Sequence, residues 1–116
     1  MNGKPEDTEV IRFREKLEAE RDQLTADSVS QKDARKPVEL DQQSVGRLSR
    51  IDAMQVQAMA MASERRRAAR LRQIDAALAR IEEDEFGFCI ICGEEIAPKR
   101  LAHDPAAATC VDCVRD

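Results

Sequence analysis

Apolar residues recur at helical spacing in two long stretches of the chain, and neither stretch contains Gly or Pro. In residues 7–27, Val10, Phe13, Leu17 and Leu24 return at near-heptad intervals between charged residues. One narrow apolar face on an otherwise polar segment predicts an amphipathic helix. Asp7 or Thr8 is the candidate N-cap, because a short side-chain oxygen accepts from the free N–H groups of the first turn. The pattern dissolves over residues 28–46, which are polar around Pro37 and Gly46 and keep only Val29, Val38, Leu40 and Val45 as larger apolar residues. That stretch reads as a connector.

The second stretch, residues 48–85, would span roughly 57 Å as one continuous helix. Leu48, Ile51, Ala58 and Ala62 mark its early apolar positions, and Leu71, Ile74, Leu78 and Ile81 its late ones. The late set steps by three, four and three residues, the spacing of a coiled-coil seam. Between the two sets, Met54, Met59 and Met61 lie among alanines, and such small or flexible side chains permit close helix approach. The sets are slightly out of register, which predicts a phase shift near residues 63–67. Glu82, Glu83, Asp84 and Glu85 oppose the negative end of a helix dipole. Either the helix stops before these acids or the next segment of the chain compensates them. Phe86 and Phe88, on either side of Gly87, are placed to pack that helix end against the C-terminal part of the chain.

Composition narrows this picture to a core-poor protein. The 116 residues include three Phe and no Trp or Tyr, and 36% are charged, so little material is available for a large mixed core. Two long helices folded back on one another are the simplest way to bury so little. The net charge of -4 argues against a general phosphate-backbone binder, which carries a basic excess. No apolar run approaches the ~20 residues of a membrane span, and the N-terminus lacks the apolar segment of a signal peptide. The expected location is cytoplasmic. In that reducing compartment, paired cysteines more often hold metal than form a disulfide.

The candidate chemistry lies near the C-terminus. Cys89-x2-Cys92 and Cys110-x2-Cys113 form two knuckles separated by seventeen residues. Zinc takes four tetrahedral thiolates at about 2.3 Å, and two such turns each supply a pair while aiming backbone N–H groups at the sulfurs. Gly93, directly after Cys92, gives the permissive backbone such a turn needs. Two redox dithiols and a rubredoxin-type iron centre are the competing readings, and the flanking sequence lacks the strand and helix pattern of a thioredoxin. One zinc ion held by Cys89, Cys92, Cys110 and Cys113 would have no open coordination position and would serve structure alone. The single histidine, His103, is expected to be a surface or packing residue, and Lys99 and Arg100 stand between the knuckles where they can offset thiolate charge. No glycine-rich phosphate loop and no nucleophile–base pair is present, so no enzyme is expected.

These readings give a mainly α architecture. An antiparallel helical hairpin, or coiled coil, occupies residues 1–85 with its tip around residues 30–53, and a small C-terminal four-cysteine zinc-finger module occupies residues 86–116. Six arginines against Glu64 and Asp75 in residues 64–80 form either a solvated helix face or a patch for an acidic or phosphorylated partner. Arg65, Arg66 and Arg67 cannot all point one way, because consecutive residues step about 100° around a helix.

The junction Glu82-Glu83-Asp84-Glu85-Phe86-Gly87-Phe88-Cys89, then Cys92-Gly93-Glu94-Glu95-Ile96, resembles the DksA/TraR family of bacterial transcription regulators. Arg100-Leu101, Pro105 and Cys110-Val111-Asp112-Cys113 continue the likeness, which is specific over about residues 70–113. The resemblance implies a zinc domain with a coiled-coil finger that enters the secondary channel of RNA polymerase. The finger tip then alters initiation near the catalytic centre, often together with guanosine tetraphosphate (ppGpp). Carried residue by residue, it implies Asp52, with Ala53 beside it, at the tip, and Arg66 near the alarmone site. The family's tip signature Asp-x-x-Asp-x-Ala meets Ser49 at its first position and Met54 at its last, while Gln73 and Val114 stand where basic alarmone contacts are expected. The expected protein is a monomer that binds polymerase rather than DNA. A zinc-finger DNA-binding protein and a zinc-stabilised module for another protein are the alternatives.

Overall fold

The computed structural model describes residues 7–37 and 47–114, the side chains of residues 47 and 48 excepted. Val38, Leu40, Val45 and Gly46 of the expected connector, and the side chain of Leu48, lie outside the described residues. The described chain is mainly helical: α1 (Asp7–Ser30), a 3-10 turn (Lys32–Arg35), α2 (Arg47–Glu82), α3 (Pro98–His103) and α4 (Val111–Val114). Its extended pairing is one isolated antiparallel bridge between Phe88 and Glu95. Among the described residues, no helix is long and apolar enough to cross a membrane. The chain divides into two compact units. One joins the residues up to Asp22 with those from Arg70 onward, and the other is Gln23–Ala69.

In the first unit two of the four expected late-seam residues, Ile74 and Ile81, enter the core, while Leu71 is half-buried. Ile74 of α2 and Leu17 of α1 are fully buried, and Ile81 nearly so. Removing each of these side chains from water contributes about 1.5–3 kcal/mol. Ala77 is buried completely while Leu78 is half-buried, so the inward face runs through 74, 77 and 81. The alanine lets the facing helix come close. Phe13 of α1 meets Phe86 at 5.5 Å between ring centroids and an interplanar angle of 42°, a tilted pair. Phe86 is buried as expected, whereas Phe88 is half-buried.

Helix α2 stops at Glu82, ahead of most of the acidic run. The N–H of Glu85 donates to Arg80 O at 2.8 Å and that of Asp84 to Ile81 O at 3.3 Å. These are the two bonds of a Schellman stop, with Asp84 in the left-handed position at φ 59°. Glycine usually fills that position, so the sequence carried no sharp stop signal there. At the other end of the chain, Asp7 lies within the first turn of α1, where its charge complements the helix dipole.

The second unit departs from expectation in two ways. Helix α1 runs on to Ser30 and is followed by the 3-10 turn, so the connector begins later than residue 28. Arg35 reaches back to donate from Nη1 to Ser28 O at 2.9 Å, supplying a partner for a carbonyl at the helix end. The anticipated early seam is also not buried: Ile51, Met54, Met59 and Met61 are exposed, as is Ala58. Polar contacts hold this unit instead. Ser28 Oγ donates to Glu64 Oε2 at 2.6 Å, Arg67 Nε to Glu64 Oε1 at 3.0 Å and Arg67 Nη1 to Gln31 Oε1 at 3.2 Å. The Ser28 hydroxyl, helped by Arg67 and Arg35, holds the Glu64 carboxyl below its ordinary pKa despite partial desolvation.

Candidate metal centre

The first knuckle is built as a miniature hairpin. Ile96 N–H donates to Gly87 O and Cys89 N–H to Glu94 O, each at 2.8 Å, on either side of the Phe88–Glu95 bridge. Gly93 closes the turn by donating to Cys89 O at 2.9 Å, and its φ of 77° is one that L side chains rarely adopt. Pro98 then starts α3 at a position where its missing N–H is harmless. Leu101 of α3 is buried beside Ile96, Ala106 and Ala107 in the module's small interior. The second knuckle comes next: Cys113 and Val114 N–H groups both donate to Cys110 O at 3.1 Å, winding α4 directly out of the cysteine.

Two contacts join the knuckles. Ile90 N–H donates to Ala108 O at 2.9 Å. Arg100 Nε donates to Thr109 O at 2.8 Å, so Arg100 holds the backbone just before Cys110. As a result, the side-chain sulfurs of Cys89, Cys92, Cys110 and Cys113 all lie within 4.8 Å of one another. Sulfurs about 2.3 Å from a shared tetrahedral ion stand roughly 3.8 Å apart, and Cys92 Sγ and Cys110 Sγ are separated by 3.7 Å. Backbone N–H groups of Cys92, Cys110 and Ile91 outweigh desolvation and draw the Cys89 pKa down to about 6. Cys113 is pushed up, first by its contact with Cys110. Four sulfurs this close cannot all ionise by themselves, and a divalent cation resolves the conflict. The donor set therefore fits zinc.

His103 is exposed at the end of α3 and is not one of the clustered ligands. Asp52 and Ala53 are exposed on α2 in the second unit, and Arg66, also exposed there, donates from Nη2 to Ser63 Oγ at 3.0 Å. The three consecutive arginines divide as helical geometry requires, with Arg65 and Arg66 outward and Arg67 turned to Glu64.

Sequence reasoning missed what fastens the module to the helices. Arg70 of α2 grips Glu20 of α1 with two bonds, Nε to Oε2 at 2.7 Å and Nη2 to Oε1 at 3.0 Å. Nη2 also donates to Asp104 Oδ1 at 2.9 Å, directly after α3, and Nη1 to Gln73 Oε1 at 3.2 Å. These partners raise the arginine further above its already high pKa. Asp104 is desolvated, which raises its pKa, but Arg70 and the Ala106 N–H outweigh burial and hold it below the ordinary value. Lys16 Nζ donates to Ala102 O at 3.3 Å as a further tie between α1 and α3.

Residues 84–116 match the family described as the prokaryotic dksA/traR C4-type zinc finger. The RNA polymerase-binding transcription factor DksA of Haemophilus influenzae is 44% identical over 43 residues, which are 37% of this chain and 30% of that protein. The Escherichia coli K12 protein of the same description is 40% identical over 43 residues, 37% of this chain and 28% of its own length. The matched segment thus spans less than a third of these relatives. In three dimensions the chain is similar to transcription factor DksA2 from Pseudomonas aeruginosa, with a TM-score of 0.76, 22% identity, and coverage of 95% of this chain and 83% of that one.

Fold and site together define a mainly helical protein with a structural C4 zinc finger. Its residues 84–116 match the dksA/traR C4-type zinc finger, and the chain as a whole is similar in fold to DksA2.

Proposed function

We propose that this protein is a transcription regulator without enzymatic activity that binds bacterial RNA polymerase. Its coiled coil enters the secondary channel to modulate initiation, Asp52 with Ala53 acts at the tip, and ppGpp contributes through a contact that includes Arg66. One zinc, held by Cys89, Cys92, Cys110 and Cys113, sets the base. The observation that carries this reading is the C4 finger over residues 84–116 continuing directly from the 36-residue helix α2. A closed set of four thiolates leaves no coordination position for substrate or water, so the metal's part is to fix the module's backbone. The chain's net charge of -4 favours a protein partner over duplex DNA. Stiff helices also lose less conformational entropy on insertion than a flexible loop would.

The test is transcription in vitro with purified polymerase. Asp52→Asn removes one exposed charge from α2 and is expected to leave polymerase binding within about twofold while abolishing the effect on a ribosomal promoter. Inhibition by the variant equal to wild type would sink the tip assignment. Running the assay with and without ppGpp, on wild type and Arg66→Ala, tests the alarmone contact. Loss of the ppGpp increment in the variant is the expected result.

A further inference from the structure

Over residues 49–59 of α2 every side chain is exposed except that of Gln57, which is half-buried. Its amide is turned to the 3-10 turn (Lys32–Arg35): Nε2 donates to Lys36 O at 2.8 Å and lies 3.5 Å from Arg35 O. We propose that Gln57 is a positioning residue for the finger: its side-chain amide holds the 3-10 turn against α2, and that hold fixes the setting in which Asp52 meets RNA polymerase. This rests on the functional reading above and adds to it the device that orients the tip residue.

The turn is fastened from two sides. Arg35 Nη1 donates to Ser28 O at 2.9 Å and lies 3.6 Å from Glu64 Oε1, while within the turn the N–H groups of Ala34 and Lys36 donate to Gln31 O and Asp33 O, each at 3.2 Å. The Arg35–Glu64 pair meets α2 twelve positions beyond Asp52, roughly 18 Å along the helix. Gln57 is five positions from Asp52, or roughly 7.5 Å. It therefore carries the hold much closer to the tip residue than the ion pair does.

Apolar packing cannot set the turn here, because Ile51, Met54, Val56 and Met59 are exposed. Hydrophobic contact is also non-directional, whereas an amide N–H bonds a carbonyl only over a limited range of distance and angle. The glutamine NH2 carries two donors, enough for both carbonyls of one turn. A bond this close to water adds little to overall stability, so its loss is expected to change alignment and not folding. A tip held in one arrangement before binding spends less of the binding energy on ordering itself.

Two variants separate the donor from the bulk of the side chain. Met matches Gln in length and in helix propensity but donates nothing, and Lys restores a donor. In the full chain, Gln57→Met is expected to keep one zinc, a melting temperature within about 5 °C of wild type and polymerase affinity within about twofold, while the effect on a ribosomal promoter falls about fivefold or more. Gln57→Lys is expected to recover more than half of that effect. Amide exchange at Ala34 and Lys36 reads the hold without polymerase and is expected to be about fivefold faster in Gln57→Met. A wild-type promoter effect in Gln57→Met overturns the positioning role, and so does Gln57→Lys acting as poorly as Gln57→Met. A loss of affinity that matches the loss of effect also overturns it, since Gln57 is then a polymerase contact. Unchanged exchange at Ala34 and Lys36 overturns the hold itself. If the wild-type chain has no effect on transcription, the functional reading fails, and the exchange result still decides whether Gln57 holds the turn.

Discussion

Cys110→Ser is expected to release the metal and melt the zinc finger, taking bound zinc from one ion per chain to nearly none under mild chelation. The reason is the poverty of the module's interior. Beyond Phe86, which leans on Phe13 of α1, its buried apolar residues are Ile96, Leu101, Pro105, Ala106, Ala107 and the ligand Cys89. Its secondary structure is one bridge, a six-residue helix and a four-residue helix. Helices of that length do not persist unaided in water. Metal binding in comparable small modules is worth about 10–16 kcal/mol, and that free energy is folding free energy. Cys110 ties the metal to the second knuckle, where its carbonyl accepts the N–H groups that start α4 and Arg100 braces the residue before it. Elemental analysis with amide exchange checks this. A wild-type chain that is metal-free yet protected from exchange across residues 87–113 would refute the metal's structural role.

The second large effect is expected at Arg70. Replacing it with Leu deprives the Glu20 and Asp104 carboxylates of the cation they share, and should cost about 2 kcal/mol, a fall in melting temperature of roughly 10 °C. Lys is expected to recover less than half of this loss, because one ammonium cannot reproduce the two parallel bonds to Glu20 while also reaching Asp104. The pH dependence has a definite sign. Asp104 has a folded pKa below its unfolded value of about 3.9, so its contribution is complete above that value and is lost as pH falls through the folded pKa. The stability gap between wild type and variant should therefore stay flat from about pH 8 to 5. Thermal melts across that range measure it, and a gap that vanishes by pH 5 would show that another group governs the tie.

The four-cysteine site was legible because its spacing alone encodes the chemistry, and the core positions Ile74 and Ile81 were legible because a repeat of three and four residues leaves a mark in the sequence. Arg70 leaves none. Its partners Glu20 and Asp104 are 50 and 34 positions away, and one charge among 36% charged residues looks like any other until the chain is folded. Arg35 and Glu64, which extend α1 beyond the expected boundary, were hidden for the same reason. The end of α2 was left open between two readings for a local reason, a left-handed residue that is Asp84 rather than glycine. The early apolar positions misled in the opposite direction. Ile51 and Ala58 fit a helical period, yet the second unit is fastened by hydroxyl, amide and carboxylate groups and leaves them exposed.

The first unit draws its two parts from the residues before Gln23 and those after Ala69, and that discontinuity orders events on the ribosome. Leu17 and Phe13 emerge early, but the rest of that unit's core, including Ile74, Ile81 and the Phe86 that meets Phe13, is made only after the whole second unit has been translated. At about 5–20 residues per second, the nascent stripe waits several seconds without its cover. Any truncated product ending before Arg70 keeps that stripe exposed for good. Such a fragment displays the apolar surface that chaperones and proteases recognise, so unfinished copies are expected to be cleared before they can compete with complete ones.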